Sequence, residues 1–130
     1  MVLPRFVDAA LSAQPLVVHD DGQQVRCFAH VKDTVHSVMR LMATPAALGN
    51  VVNIGSDRAI SIRELAEMVI ATAGTSSTIQ FQSYTDAYDT DFEDVRRRVP
   101  DLTRLRSLID YQPQYKLEDI IAELIAARQC

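Results

Sequence analysis

Pro15-Leu16-Val17-Val18-His19-Asp20-Asp21-Gly22-Gln23-Gln24-Val25-Arg26-Cys27-Phe28-Ala29-His30-Val31-Lys32-Asp33 is the stretch whose reading decides the fold class. Leu16 to Val18 is a brief apolar strand. Asp20-Asp21-Gly22 is a turn, because Asp can bond its own backbone and Gly accepts a left-handed conformation. Val25 to Val31 reads as a second strand of mixed alternation. Asp33 then opens a helix through Ala43, where a carboxylate at the first turn caps amides and favours the helix dipole. Strand, turn, strand and helix in quick succession predict a chain that mixes both element types.

Working outward, the same alternation continues. Pro4 to Ala13 is a short helix with Pro in its first turn, and Phe6, Val7, Ala10 and Leu11 form its apolar face. Val35, Val38, Met39 and Met42 recur at helical spacing and predict the buried stripe of the Asp33 helix. Val51 to Ile54 is a short, mostly apolar run, the kind of strand buried on both faces. Ser61-Ile62-Arg63-Glu64 is a capping box that opens a helix ending at Gly74. Ile62, Leu65, Ala66, Val69 and Ile70 are its stripe. Thr78 to Gln82 reads as a strand, and Ser83 to Val99 as a long polar connection. Asp101 caps a helix through Ile109, and Leu117 to Ala127 is the last helix. The expected class is α/β, or α+β for the chain by itself, with short strands covered by helices in one domain, residues 1–130.

Composition narrows the function. The 130 residues are 48% hydrophobic and 23% charged, an ordinary mix for a single packed core. The formal net charge of -4 comes without a basic stripe, which argues against nucleic acid as a partner. Arg96-Arg97-Arg98 is the one basic run, and it follows acidic residues from Asp86 to Asp94. Cys27 and Cys130 have no metal-ligand spacing, so no metal site is expected and a reducing cytoplasm is. Cys27 reads as a small core residue. No apolar run reaches the length of a membrane span.

Four local patterns carry a resemblance. Pro15 to Gly22 is similar to Pro-Leu-x-Val-Tyr-Gly-Asp-Gly, and Gln24 to Asp33 to Gln-x-Arg-x-Phe-x-(His/Tyr)-Val-x-Asp. Val52-Asn53-Ile54-Gly55-Ser56 precedes Ile60-Ser61-Ile62-Arg63-Glu64-Leu65. Arg96 to Leu102, with Leu105 and Tyr111-Gln112-Pro113, looks like Arg-Arg-x-Pro-Asp-(Ile/Leu) followed by Leu-Gly-Trp-x-Pro. In this order and spacing they resemble the extended short-chain dehydrogenase/reductase family, the NAD-dependent nucleotide-sugar epimerases, dehydratases and decarboxylases. His19 departs from the usual Tyr, Asp20 from Gly, and Asp110-Tyr111 from Gly-Trp.

The resemblance implies the C-terminal, substrate-binding portion of such an enzyme. The family's Gly-rich phosphate turn has no counterpart here, since the glycines are Gly22, Gly49, Gly55 and Gly74. Its catalytic Tyr followed four residues later by Lys is also missing: none of Tyr84, Tyr88, Tyr111 and Tyr115 has Lys at that spacing. The chain is therefore expected to hold no NAD and no catalytic residue of its own. NAD and the base would lie on a Rossmann half, which becomes an expected partner.

The substrate-binding residues the resemblance implies are Arg26, Arg97, Val18, His19, Gln24 and Arg98. A planar guanidinium matches diphosphate oxygens. Arg26 resembles the family's first phosphate arginine. One of Arg97 and Arg98 resembles the second, with Arg97 preferred and Arg96 disfavoured. Val17, Val18 and His19 resemble the segment beside the nucleobase, and Gln24 could reach the ribose. The ligand would be the nucleoside-diphosphate part of a UDP-glucose-like nucleotide sugar. Leu3, Pro4 and Phe6 resemble the start of the substrate-side helix, with Phe6 read as core. Asp33, His30 and His36 read as structural or exposed, the acidic residues Asp86, Asp89, Asp91, Glu93 and Asp94 as a solvated loop, and Met39, Met42 and Met68 as core.

By the family's topology Val51 to Ile54 would join the sheet of the other half. An isolated chain would then expose a strand edge and associate with itself to cover it. The residues alone also admit a stand-alone interaction module without a ligand, and the substrate portion of an NAD(P)-dependent reductase of non-sugar substrates.

Overall fold

The computed structural model describes residues 1–83 and 95–129. Tyr84, Tyr88, the acidic residues from Asp86 to Asp94, and Cys130 lie outside the described residues. The elements in order are α1 (Val2–Leu11), β1 (Leu16–His19), β2 (Val25–Cys27), α2 (Val31–Met42), a 3-10 turn (Pro45–Ala47), β3 (Ala59–Ser61), α3 (Ile62–Ala73), β4 (Ile79–Gln82), α4 (Thr103–Ile109) and α5 (Leu117–Gln129). The class is mixed α/β, as the alternation of apolar patterns predicts.

Two small sheets organise the chain. β1 pairs parallel with β4, and β2 pairs antiparallel with β3. β2 has a further neighbour in residues 96–98: Val25 N–H donates to Arg96 O (2.8 Å) and Arg98 N–H to Val25 O (3.1 Å). β3 has no signal in the sequence, because its three residues show no alternation of their own.

The main core lies between β1 and three helices. Leu3, Phe6, Val7 and Ala10 from α1 meet Leu16 and Val18, then Leu65, Ala66 and Val69 of α3, then Leu117, Ile121 and Ile125 of α5. Met68 packs against this core. α3 is set as its sequence requires. The Ser61 hydroxyl accepts the Glu64 amide, Glu64 reaches back to the Ser61 amide, and Gly74 closes the helix at φ 64°.

The turn between β1 and β2 seats the start of α3. Gly22 O accepts the Arg63 amide (3.0 Å) and Gln24 O the Ile62 amide (3.0 Å). Gly22 has φ +71°, and a Cβ there would stand 2.8 Å from Val18 Cγ1.

A second, smaller core departs from the expectation of one. Leu102, Leu105, Ile109 and Tyr111 pack with Leu41, Val52 and Ile54. The segment joining the two cores is tied down by Tyr111 Oη donating to Gly55 O (2.9 Å), by Arg106 to Asp57 (2.8 Å), and by the paired bonds of Arg58 to Glu118 (both 2.8 Å).

Three expectations are corrected here. First, β2 ends at Cys27, because α2 starts earlier than Asp33. His30 is its N-cap, with Nδ1 accepting the Lys32 amide. Asp33 is instead buried and accepts the amides of Gln114 (3.1 Å) and Tyr115 (3.2 Å). Second, the predicted stripe of α2 faces outward. Val35, Val38, Met39 and Met42 are all exposed, while Asp33 and Ser37 are the buried residues of the helix. Third, Val51 to Ile54 is extended but joins no ladder among the described residues.

Two measurements check this packing. Gly22→Ala is expected to lose about 2 kcal/mol in a urea titration, from strain at positive φ plus overlap with Val18. Gly74→Ala, with open space around it, should lose about 1 kcal/mol. The Arg58 guanidinium holds the Glu118 carboxyl at about 2, down from 4.5. A folded-state value below the unfolded one stabilises above pH 4.5 and loses that contribution as pH falls toward 2. Arg58→Ala should therefore flatten the acid limb of stability over that interval, by a small amount because both groups are half exposed.

Candidate functional site

Strand alternation decides which side chains meet. Because the N–H and C=O of Val25 both bond the 96–98 backbone, Val25 and Arg97 share one face, and Gln24, Arg26 and Arg98 share the other. The second face lines a cavity of about 920 Å³. Val17 and His19 of β1 reach it, as do Leu3 and Pro4 of α1, Cys27, Phe28 and His30 after β2, and Ile120, Glu123 and Leu124 of α5.

Arg26, Arg98, Gln24 and His19 are thus brought together. Arg97 is not: it lines a smaller polar groove on the opposite face with Arg63, Glu64 and Glu67. The second guanidinium at the cavity is that of Arg98. Val18 is also corrected. It is completely buried in the main core, while its neighbours Val17 and His19 turn to the cavity. Arg96 bonds Asp21 (2.8 Å), and holds that carboxyl below its ordinary range.

Backbone and charge shape the cavity wall. Arg26 Nη1 donates to Val95 O (2.7 Å) and Val25 O (2.9 Å), which fixes the guanidinium along the strand. Gln24 is buried and its amide nitrogen donates to His19 O (3.1 Å). Cys27 is half-buried on this wall rather than in the core. Burial pushes its thiol up, with the Asp57 carboxylate adding to the shift, so it is protonated and a weak nucleophile at neutral pH.

The opposite rim carries a group of residues that the sequence pattern did not single out. His30 is buried, and its Nδ1 accepts the Lys32 amide. The proton therefore sits on Nε2, which donates to Glu123 Oε2 (2.9 Å). The His30 ring stacks on Tyr115 at 4.1 Å between centroids. Lys32 Nζ bonds Glu123 Oε1 (3.3 Å) and lies over the Tyr115 ring. The bonds from His30 and Lys32 hold the Glu123 carboxyl below its ordinary value. These contacts join α2 to α5 and close one side of the cavity. The one signal in the sequence was a His two residues before a Lys at a helix start, which has no specificity alone.

In α2 the Lys32 amide is bonded to His30, and in α3 the Glu64 amide is bonded to Ser61 and the Ile62 and Arg63 amides to the Gly22 turn. No glycine-rich phosphate turn precedes either helix.

Comparison with known proteins agrees with this architecture. The family model described as GDP-mannose 4,6 dehydratase matches residues 1–124. The chain belongs to that family. It is 35% identical over 124 residues to a UDP-N-acetyl-alpha-D-glucosaminuronate decarboxylase of Bacillus cytotoxicus, covering 95% of this chain and 38% of that protein. A UDP-glucuronic acid 4-epimerase from Bacillus cereus, solved with UDP-glucuronic acid and NAD, superposes with a TM-score of 0.84 at 25% identity, covering 99% of this chain and 40% of the other. The fold is also that of an epimerase from Methanothermobacter thermautotrophicus, with TM-score 0.85 at 23% identity over 99% of this chain and 38% of the other. The chain thus spans about two-fifths of the length of these relatives. No helix among the described residues is long and apolar enough to cross a membrane.

The rim is testable by substitution. His30→Ala removes a helix cap and a part-buried charge-assisted bond and should cost about 2 kcal/mol in chemical denaturation. Glu123→Gln keeps an acceptor for His30 and should cost less than about 1 kcal/mol.

Proposed function

We propose that this chain is the substrate-binding portion of an NAD-dependent nucleotide-sugar enzyme, and that the cavity takes the nucleoside-diphosphate part of a UDP-sugar. The observation that carries the reading is the convergence of Arg26 and Arg98 on one wall of an otherwise largely apolar cavity. Two guanidinium forks suit the oxygens of a diphosphate and offset its charge. The apolar lining from Leu3, Val17 and Phe28 suits the faces of a base and a sugar ring. His19 and Gln24 supply polar contacts beside them. The 35% identical relative acts on a UDP-sugar by its name, which favours uridine over other bases.

The hydride chemistry that NAD supplies in such enzymes belongs, in this reading, to a cofactor-binding portion beyond these residues. The first-turn amides of α3, taken by the Ser61–Glu64 box and the Gly22 turn, support that division. This chain contributes by gripping the diphosphate and so fixing where the sugar lies. Fixing a reactant's position can account for several kcal/mol of a reaction barrier. The chain alone is expected to turn over no substrate.

Isothermal titration with UDP, dTDP and GDP tests the reading. UDP should bind best. Arg26→Ala and Arg98→Ala should each weaken it by roughly ten- to a hundredfold, the loss of one or two charge-assisted bonds. Arg97→Ala should leave it unchanged. Equal loss with Arg97→Ala, or no effect of Arg26→Ala, would overturn the assignment.

A further inference from the structure

The cavity that carries Arg26 and Arg98 also carries a carboxylate. Among the described residues that line it, Glu123 of α5 is the one acidic side chain. Ile120 and Leu124 line the same cavity. They lie three residues before and one after Glu123, so the carboxylate sits on a helix face that is otherwise apolar. The volume of about 920 Å³ is near the upper end of the roughly 300–1,000 Å³ usual for small-molecule sites. Room therefore remains beyond a diphosphate for a sugar ring.

Glu123 is held in place. Its Oε2 accepts from His30 Nε2 (2.9 Å) and its Oε1 from Lys32 Nζ (3.3 Å). The His30 side chain is only 5% exposed, and its other ring nitrogen is committed to the Lys32 amide. The imidazole is thus a fixed donor. Lys32 itself does not line the cavity; its ammonium lies over the Tyr115 ring. Both bonds keep the carboxyl below its ordinary value, so it is ionised at neutral pH. A carboxylate offers about four lone-pair sites, and these two donors leave acceptor capacity on each oxygen.

We propose that Glu123 is a specificity-determining residue, which accepts a hydrogen bond from a sugar hydroxyl and rejects nucleotide sugars whose sugar carries a carboxylate. This rests on the reading of the cavity as a nucleoside-diphosphate site. A hydroxyl brings the proton that the open lone pairs can take. A sugar carboxylate has no proton to give at neutral pH, and it would set a second negative charge near an ionised one. The apolar surface of Ile120 and Leu124 suits the C–H face of a sugar ring. Selection here acts on the sugar, whereas Arg26 and Arg98 act on the diphosphate.

The test is calorimetry of this chain with UDP, UDP-glucose and UDP-glucuronic acid. UDP-glucose should bind about fivefold more tightly than UDP-glucuronic acid, a modest ratio because Glu123 is half exposed. Glu123→Gln keeps the size and an acceptor oxygen but removes the charge. It should bring the ratio to about one and leave the affinity for UDP itself unaltered. Added salt gives a second readout that needs no variant, since it should shrink the ratio in the unaltered chain. Two results would overturn the proposal. One is UDP-glucuronic acid bound as tightly as UDP-glucose, or more tightly. The other is a preference for UDP-glucose that survives Glu123→Gln or added salt. Failure of UDP itself to bind is a distinct outcome, which would sink the diphosphate reading and this proposal with it.

Discussion

The pairing of Val25 is the constraint on which the site depends. Its amide and carbonyl are both taken by the backbone of residues 96–98, and on its other side it faces Ser61. Val25 is therefore paired on both edges of the strand. Side chains on a strand alternate, so this one pairing sends Gln24, Arg26 and Arg98 to the cavity and Val25 and Arg97 to the opposite groove. A slip of one residue would exchange the faces. It would put Arg97 in the place of Arg98 at the cavity.

The surrounding structure holds that pairing in place. α3 rests on the turn that precedes β2, because the Arg63 and Ile62 amides are bonded to Gly22 and Gln24. Burial of Leu65, Ala66 and Val69 then fixes the turn against the main core. Across the cavity, the His30–Glu123 bond fixes α2 to α5. The two walls are thus set by different interactions, one a backbone pairing and the other a half-buried side-chain pair. The cavity between them combines two guanidinium groups with an apolar lining.

Much of this was legible in the chain, and the failures share a cause. The capping box at Ser61, its stop at Gly74 and the Asp-Gly turn are local chemistry and stand as read. Arg26 lies inside a local strand pattern, so its face could be read from its neighbours. Arg98 could not, because its face depends on a partner strand far away in sequence. Val18 was misplaced because the family segment was carried over whole, without its alternation. The stripe of α2 was correctly seen as apolar and helical, but periodicity says only that a face is apolar, not what covers it. Val51 to Ile54 has the composition of a buried strand and joins no sheet among the described residues.

The central claim is that Arg26 and Arg98 act together on one diphosphate. It is tested most directly by following the arginine side-chain Nε–H signals by NMR while UDP is added. The account predicts that the Arg26 and Arg98 signals shift together along one binding curve, while those of Arg97 and Arg63 stay in place. A curve carried by Arg97, or one in which Arg26 and Arg98 stay unmoved while UDP binds, would contradict it.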